Sequence, residues 1–210
     1  MELSNKKAII TGASRGLGLV IAENFVKEGA DIIICSTKSE EIVLNEKIIF
    51  LNEILVRPNQ VVTSICCDVS NKKEMDYLFD AALKELKDVD ILVNNAGIYG
   101  PMGESESVDF ELWTESIKIN LLAPFYLSQK AIQHYKKKQS GKIINLSGGG
   151  ATKPLPFICS YATAKAAVVR MTETMAEEVK PFGIDINAIA PGALNTRLLD
   201  EVLMAGAETV

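Results

Sequence analysis

Tyr161 and Lys165 lie four residues apart in Tyr161-Ala162-Thr163-Ala164-Lys165. On a helix that spacing puts both side chains on one face, with Cβ atoms about 5–6 Å apart. A free tyrosine ionises at a pKa of about 10, and an acid–base group works best near neutrality. The gap of about 3 units is worth about 4 kcal/mol. A unit charge at about 5 Å, in an effective dielectric of about 20, supplies about 3 kcal/mol. One ammonium a helical turn away could therefore do most of the lowering, which a neutral residue could not. Taken alone, the pair also fits an ordinary amphipathic helix, so its meaning depends on what surrounds it.

Other proton chemistries are poorly supplied. His134 is the only histidine and reads as an exposed residue at the polar end of a helix, in Gln133-His134-Tyr135-Lys136-Lys137-Lys138. A Ser-His-Asp hydrolase and a multi-histidine zinc site are thereby disfavoured. Cys35, Cys66, Cys67 and Cys159 contain no C-x-x-C pair and read as buried reduced thiols. Acid–base work is left to Tyr, Lys, Asp or Glu.

The elements that must position the pair follow from the apolar pattern. Short buried strands are expected at 6–11, 32–35, 61–66, 91–93, 142–146 and 184–189. Helical periodicity runs from Leu17 to Gly29, over 40–55 and 73–86, along a long stretch at 110–137, and over 161–179. Six strands alternating with five helices imply an α/β fold, a doubly wound parallel sheet in the order 3-2-1-4-5-6. With 210 residues, 48% of them hydrophobic, the chain reads as one domain over 1–210. A net charge of −5 offers no basic field for nucleic acid. No run approaches the ~18 apolar residues of a membrane span. The N-terminus lacks a signal-peptide pattern, and a cytoplasmic location is expected.

The first strand runs into Thr11-Gly12-Ala13-Ser14-Arg15-Gly16-Leu17-Gly18. Glycines between a strand and a helix let the backbone approach a pyrophosphate, and the helix N-terminus offers its free N–H groups. A carboxylate that binds the adenosine ribose 2′-hydroxyl usually stands at the end of the second strand. Here that place reads Cys35-Ser36-Thr37-Lys38. Hydroxyls from Ser36 and Thr37, with Lys38 and Arg15 nearby, suit a 2′-phosphate, so NADP(H) is expected over NAD(H).

These motifs, with those that follow, resemble the classical short-chain dehydrogenase/reductase family. They are Thr11-Gly12-x-x-x-Gly16-x-Gly18, Asp68-Val69, Asn94-Asn95-Ala96-Gly97, Asn120, Tyr161-x-x-x-Lys165 and Pro191-Gly192-x-x-x-Thr196. Each is common alone; the ordered set across nearly the whole chain is specific. The resemblance implies a Rossmann-type cofactor site. Asp68 and Val69 would contact adenine, and Asn95, Ala96 and Gly97 would lie beside the ribose. Pro191, Gly192, Leu194 and Thr196 would hold the nicotinamide carboxamide. Tyr161, Lys165, Asn120 and a serine would form the catalytic set. Lys165 would also hold the nicotinamide ribose, and Asn120 a water that links Lys165 to solvent.

Two departures qualify that picture. The family's serine stands thirteen residues before the tyrosine, where this chain has Gly148. Ser147 is the expected stand-in, provided that Gly148, Gly149 and Gly150 let the backbone turn it back; otherwise a backbone N–H or a water takes its place. The chain also ends at Val210, inside or just after an expected capping helix at 197–204, without the family's seventh strand. The reading is an oxidoreductase moving hydride between NADP(H) and a small-molecule carbonyl or alcohol, in a homo-oligomer (dimer or tetramer). The alternative is a cofactor-binding protein of the same fold with little or no turnover. Tyr99, Met102, Leu155, Phe157, Leu198 and Met204 are expected to rim a partly apolar substrate pocket.

Overall fold

A computed structural model describes residues 1–192 and Met204. Leu194, Thr196 and the expected capping helix, Met204 apart, lie outside the described residues. Six strands form one parallel sheet: β1 (Lys7–Thr11), β2 (Asp31–Ser36), β3 (Val62–Cys66), β4 (Ile91–Asn94), β5 (Gly141–Leu146) and β6 (Ile184–Ile189). Their order is β3-β2-β1-β4-β5-β6, as the alternation of elements predicts. The helices between them are α1 (Gly16–Lys27), α2 (Glu41–Glu53), α3 (Lys72–Leu86), α4 (Phe110–Ile117), α5 (Ala123–Lys138) and α6 (Cys159–Val179).

Alternation along each strand sends side chains to opposite faces. The register aligns Thr63, Ile33, Ile9, Leu92, Ile143 and Ile186 in one row across the sheet. The isoleucines and leucine of that row join a core with Met75, Leu78 and Phe79 of α3, Leu127 and Tyr135 of α5, and Met175 and Val179 of α6. The next row, with Ile34, Ile10 and Val93, packs with Ala22 and Val26 of α1 and Leu44 and Leu51 of α2. Burial on both faces explains why the central strands β1, β2 and β4 read as continuous apolar runs.

A buried polar ladder ties the second half of the sheet to its helices. Asn94 Nδ2 donates to Asn145 Oδ1 at 2.8 Å, and Asn145 Nδ2 donates to Thr172 Oγ1 of α6 at 2.9 Å. This network fixes β4, β5 and α6 relative to one another, and so fixes the helix that carries Tyr161 and Lys165.

Three expectations need correction. The stretch expected as one helix over 110–137 is interrupted by a π-helical turn at Lys118–Leu122, between α4 and α5. The helix after β2 begins with a separate 3-10 turn, Lys38–Glu40. His134 is half-buried, with Nε2 2.6 Å from Asp88 Oδ1, because the loop after α3 brings that carboxylate to it. Among the described residues, no helix is long and apolar enough to cross a membrane.

Candidate active site

A cleft of about 1010 Å³ opens at the carboxyl ends of the strands. That is at the upper end of ordinary small-molecule sites, and it lies where open parallel sheets place ligands. The loop after β1 forms its floor. Gly12 has φ +64°, and a Cβ there would come within 2.7 Å of Ala96 Cα. At Gly18 a Cβ would meet the Gly12 carbonyl at 2.4 Å and Asn95 Nδ2 at 2.5 Å. The backbone is packed too closely for any side chain at either position. Asn95 Nδ2 clamps the loop from above, donating to the carbonyls of Thr11 at 2.9 Å and Gly12 at 3.0 Å. Thr11 Oγ1 accepts from the Asn95 and Ala96 N–H groups at 3.0 and 3.1 Å. Asn95 is therefore a brace between β1 and β4.

Gly12, Ser14, Arg15, Gly16, Leu17 and Gly18 line the cleft at one end. Ser36 and Thr37 join them from β2, Asp68 and Val69 from beyond β3, and Asn95, Ala96 and Gly97 from beyond β4. Pro191 and Gly192 line it from beyond β6. Ser36 Oγ donates to Ser14 Oγ at 3.2 Å, joining the two turns. Asp68 Oδ1 accepts from the Ser70 N–H at 2.8 Å, which orients the carboxylate. Lys38 is exposed on its 3-10 turn and does not line the cleft. The cleft also contains Glu40, which pairs with Arg15. An acid is conventionally sought at the end of β2, and Glu40 stands four residues later. These features fit a dinucleotide: a close-packed glycine turn at a helix N-terminus, hydroxyls beside it, and a long cleft leading to Tyr161 and Lys165.

At the other end, Tyr161 and Lys165 sit on the first turns of α6, both facing the cleft. Lys165 is 5% exposed; its Nζ donates to the Leu146 carbonyl at 2.8 Å and lies 5.5 Å from the centroid of the Tyr161 ring. The Tyr99 and Tyr161 ring centroids are 4.7 Å apart. Burial pushes the Tyr161 hydroxyl up to about 12, with Tyr99 adding to the shift, and burial lowers Lys165 to about 8. The expected downward pull of Lys165 on Tyr161 is thus outweighed. Desolvation disfavours the charged form of both groups. At neutral pH this geometry holds Tyr161 as a protonated acid beside a charged lysine.

Ser147 is not brought to the Tyr161 hydroxyl. It lines the cleft, but its Oγ donates to the Lys165 carbonyl of α6 at 3.1 Å. The residue that faces the tyrosine is Gly148, as alternation along the strand requires. Its backbone is extended, so the three glycines do not turn Ser147 back. Asn120 is fully buried in the π-helical turn. Its Nδ2 donates to the Ile98 carbonyl at 2.7 Å and the Ser116 carbonyl at 3.0 Å, while Oδ1 accepts from the Ile98 N–H at 3.1 Å. That amide fastens the segment following Gly97 to the helix. Of the residues expected at the substrate rim, Tyr99 and Leu155 line the cleft, together with Lys153, Ile98 and Ile119; Met102 and Phe157 do not.

The sequence matches the family model for short chain dehydrogenases over residues 6–205. It is 37% identical to 3beta-hydroxysteroid dehydrogenase 1 of Eggerthella lenta over 196 residues, covering 93% of this chain and 73% of that enzyme. It is 32% identical to glucose 1-dehydrogenase 2 of Bacillus subtilis, covering 93% of this chain and 74% of that enzyme. Among solved structures, it resembles 3-ketoacyl-(acyl-carrier-protein) reductase of Brucella melitensis complexed with NADH. The two have a TM-score of 0.86 and are 31% identical, covering 94% of this chain and 79% of that one.

Proposed function

The chain belongs to the short chain dehydrogenase family, and from that premise we propose that it moves hydride between NADP(H) and a carbonyl or secondary alcohol substrate. The observation that carries this reading is the placement of Tyr161 and Lys165 in the same cleft as the Gly12–Gly18 turn. Bound nicotinamide supplies the hydride. Tyr161 donates its phenolic proton to the carbonyl oxygen as the carbonyl carbon is reduced. Lys165, charged at neutral pH, stabilises the phenolate that remains and would hold the nicotinamide ribose. Asn120 is a positioning residue, acting through Ile98 on the cleft wall. Gly148 means that no side-chain hydroxyl stands beside Tyr161 from that position, so a backbone N–H or a water completes the polarisation of the carbonyl.

The absence of a carboxylate at Ser36, and the cluster of Ser14, Ser36, Thr37 and Arg15, support NADP(H) over NAD(H). Tyr99, Leu155 and Ile98 support a partly apolar substrate. Homo-oligomerisation is supported by Phe110, Leu112, Leu122 and Phe125, all exposed along the α4–α5 region. Titration with NADPH and NADH, followed by quenching of Trp113 (the only tryptophan) or by melting temperature, tests the cofactor reading. Saturable binding with NADPH tighter is expected; tighter NADH overturns the preference. Activity on a panel of ketones, aldehydes and keto-sugars separates the enzyme from a cofactor-binding protein with little turnover.

A further inference from the structure

Arg15 and Glu40 form an ion pair across the mouth of the cleft, between the glycine turn and the 3-10 turn that follows β2. Both side chains are partly exposed, at 39% and 24%, and both line the cleft beside Ser14, Ser36 and Thr37. Lys38, the other cation of this turn, is exposed and outside the cleft lining. The corner therefore holds one lining cation, one carboxylate and three hydroxyls. Its formal charge is zero. The only lining guanidinium among the described residues here is already matched to a carboxylate.

We propose that Glu40 is a specificity-determining residue, which restrains NADP(H) binding by occupying Arg15. The inference rests on the reading of this cleft as a nicotinamide dinucleotide site. A 2′-phosphate carries up to two negative charges and must take Arg15 from Glu40, or bind beside a carboxylate of its own sign. A 2′-hydroxyl meets neither demand. It can donate to Glu40 while the ion pair stays intact. Glu40 thus narrows the preference that Arg15 and the hydroxyls create, and leaves the site able to use either cofactor.

The test is a double-mutant cycle read by equilibrium binding of NADPH and NADH to wild type, Glu40→Gln, Arg15→Gln and the double variant. Glu40→Gln is isosteric, and melting temperature in the absence of cofactor checks its fold. Releasing one charge pair at a partly solvated site is expected to tighten NADPH by about tenfold, with NADH changed by less than about threefold. Arg15→Gln is expected to weaken NADPH, and Glu40→Gln added to it is expected to tighten NADPH by less than about threefold. An NADPH affinity unchanged by Glu40→Gln overturns the proposal. So does a tightening of the same size in the Arg15→Gln background. The wild-type NADPH-to-NADH ratio tests the cofactor preference separately, because the shift caused by Glu40→Gln is measured whichever cofactor the wild type prefers.

Discussion

A Cβ atom on Gly148 would stand 2.5 Å from the Tyr161 hydroxyl oxygen, closer than any real contact. The glycine's backbone is extended, with φ −169°, so any residue could adopt its conformation. A Cβ here would press on the far end of the Tyr161 side chain, which would have to move. Gly148→Ala is expected to displace the hydroxyl and lower kcat at least about tenfold, since misplacing a reacting group by about 1 Å can cost about a hundredfold. Steady-state kinetics with a responsive ketone, alongside an unchanged NADPH affinity, measures this. An alanine variant of wild-type rate would mean that Tyr161 does not work from this position.

Ser147 gives the complementary case. Its hydroxyl is spent on the Lys165 carbonyl, so Ser147→Ala is expected to lower stability by about 1 kcal/mol. Its kcat should stay within about threefold of wild type, because no charge in the reaction is stabilised by that hydroxyl. Denaturant unfolding and kinetics on one preparation measure both. A loss of kcat comparable to that of Tyr161→Phe would place the hydroxyl in the reaction.

The pH dependence of reduction follows from burial. Tyr161, raised to about 12, stays protonated through the working range. Lys165, lowered to about 8, loses its charge above that pH. The kcat/KM for ketone reduction is expected to be flat below about pH 8 and to fall above it. A profile that rises through pH 8 would contradict the need for a charged lysine.

The same lysine affects stability. Its folded pKa lies below its unfolded one, so the unfolded chain binds more protons between about pH 8 and 10.5. Stability should therefore rise with pH through that window. The ammonium costs about 3 kcal/mol at neutral pH, because burial lowers its pKa to about 8. Lys165→Met also leaves the Leu146 carbonyl without its donor, which offsets about 1 kcal/mol or more. A net gain of about 1–2 kcal/mol at pH 7, shrinking towards pH 10, is expected from urea unfolding. A variant less stable at pH 7 would show that the lysine's packing outweighs its desolvation.

The strand order is legible because strands alternate with helices and the central strands β1, β2 and β4 are buried on both faces. The helix number differs, five expected against six among the described residues, because the π-helical turn divides the stretch at 110–137 into α4 and α5. The π-helical turn around Asn120 is not legible, since apolar periodicity cannot register one extra residue per turn. The glycine loop and the Tyr161–Lys165 pair are legible from local spacing, Asp68-Val69 only through the family resemblance, and the cleft gathers them. The direction of the Tyr161 pKa shift is not legible, because the pair alone exposes the Coulomb attraction, whereas desolvation and Tyr99 come from distant segments. His134 looked exposed for the same reason: Asp88 lies far from it in sequence. Glu40 was missed because an acid was sought only at the end of β2. Which of Ser147 and Gly148 faces Tyr161 depends on strand alternation and on the backbone of the glycines, and only the extended conformation at Gly148 decides it.

The most direct measurement compares wild type with Tyr161→Phe in NADPH oxidation against a panel of carbonyl substrates, with NADPH affinity measured in parallel. Turnover by wild type on at least one substrate, lost in the variant while NADPH affinity is kept, is the expected result. Turnover retained by Tyr161→Phe would contradict the role of Tyr161 as the proton donor, and failure of both proteins to bind NADPH would contradict the NADP(H) site itself.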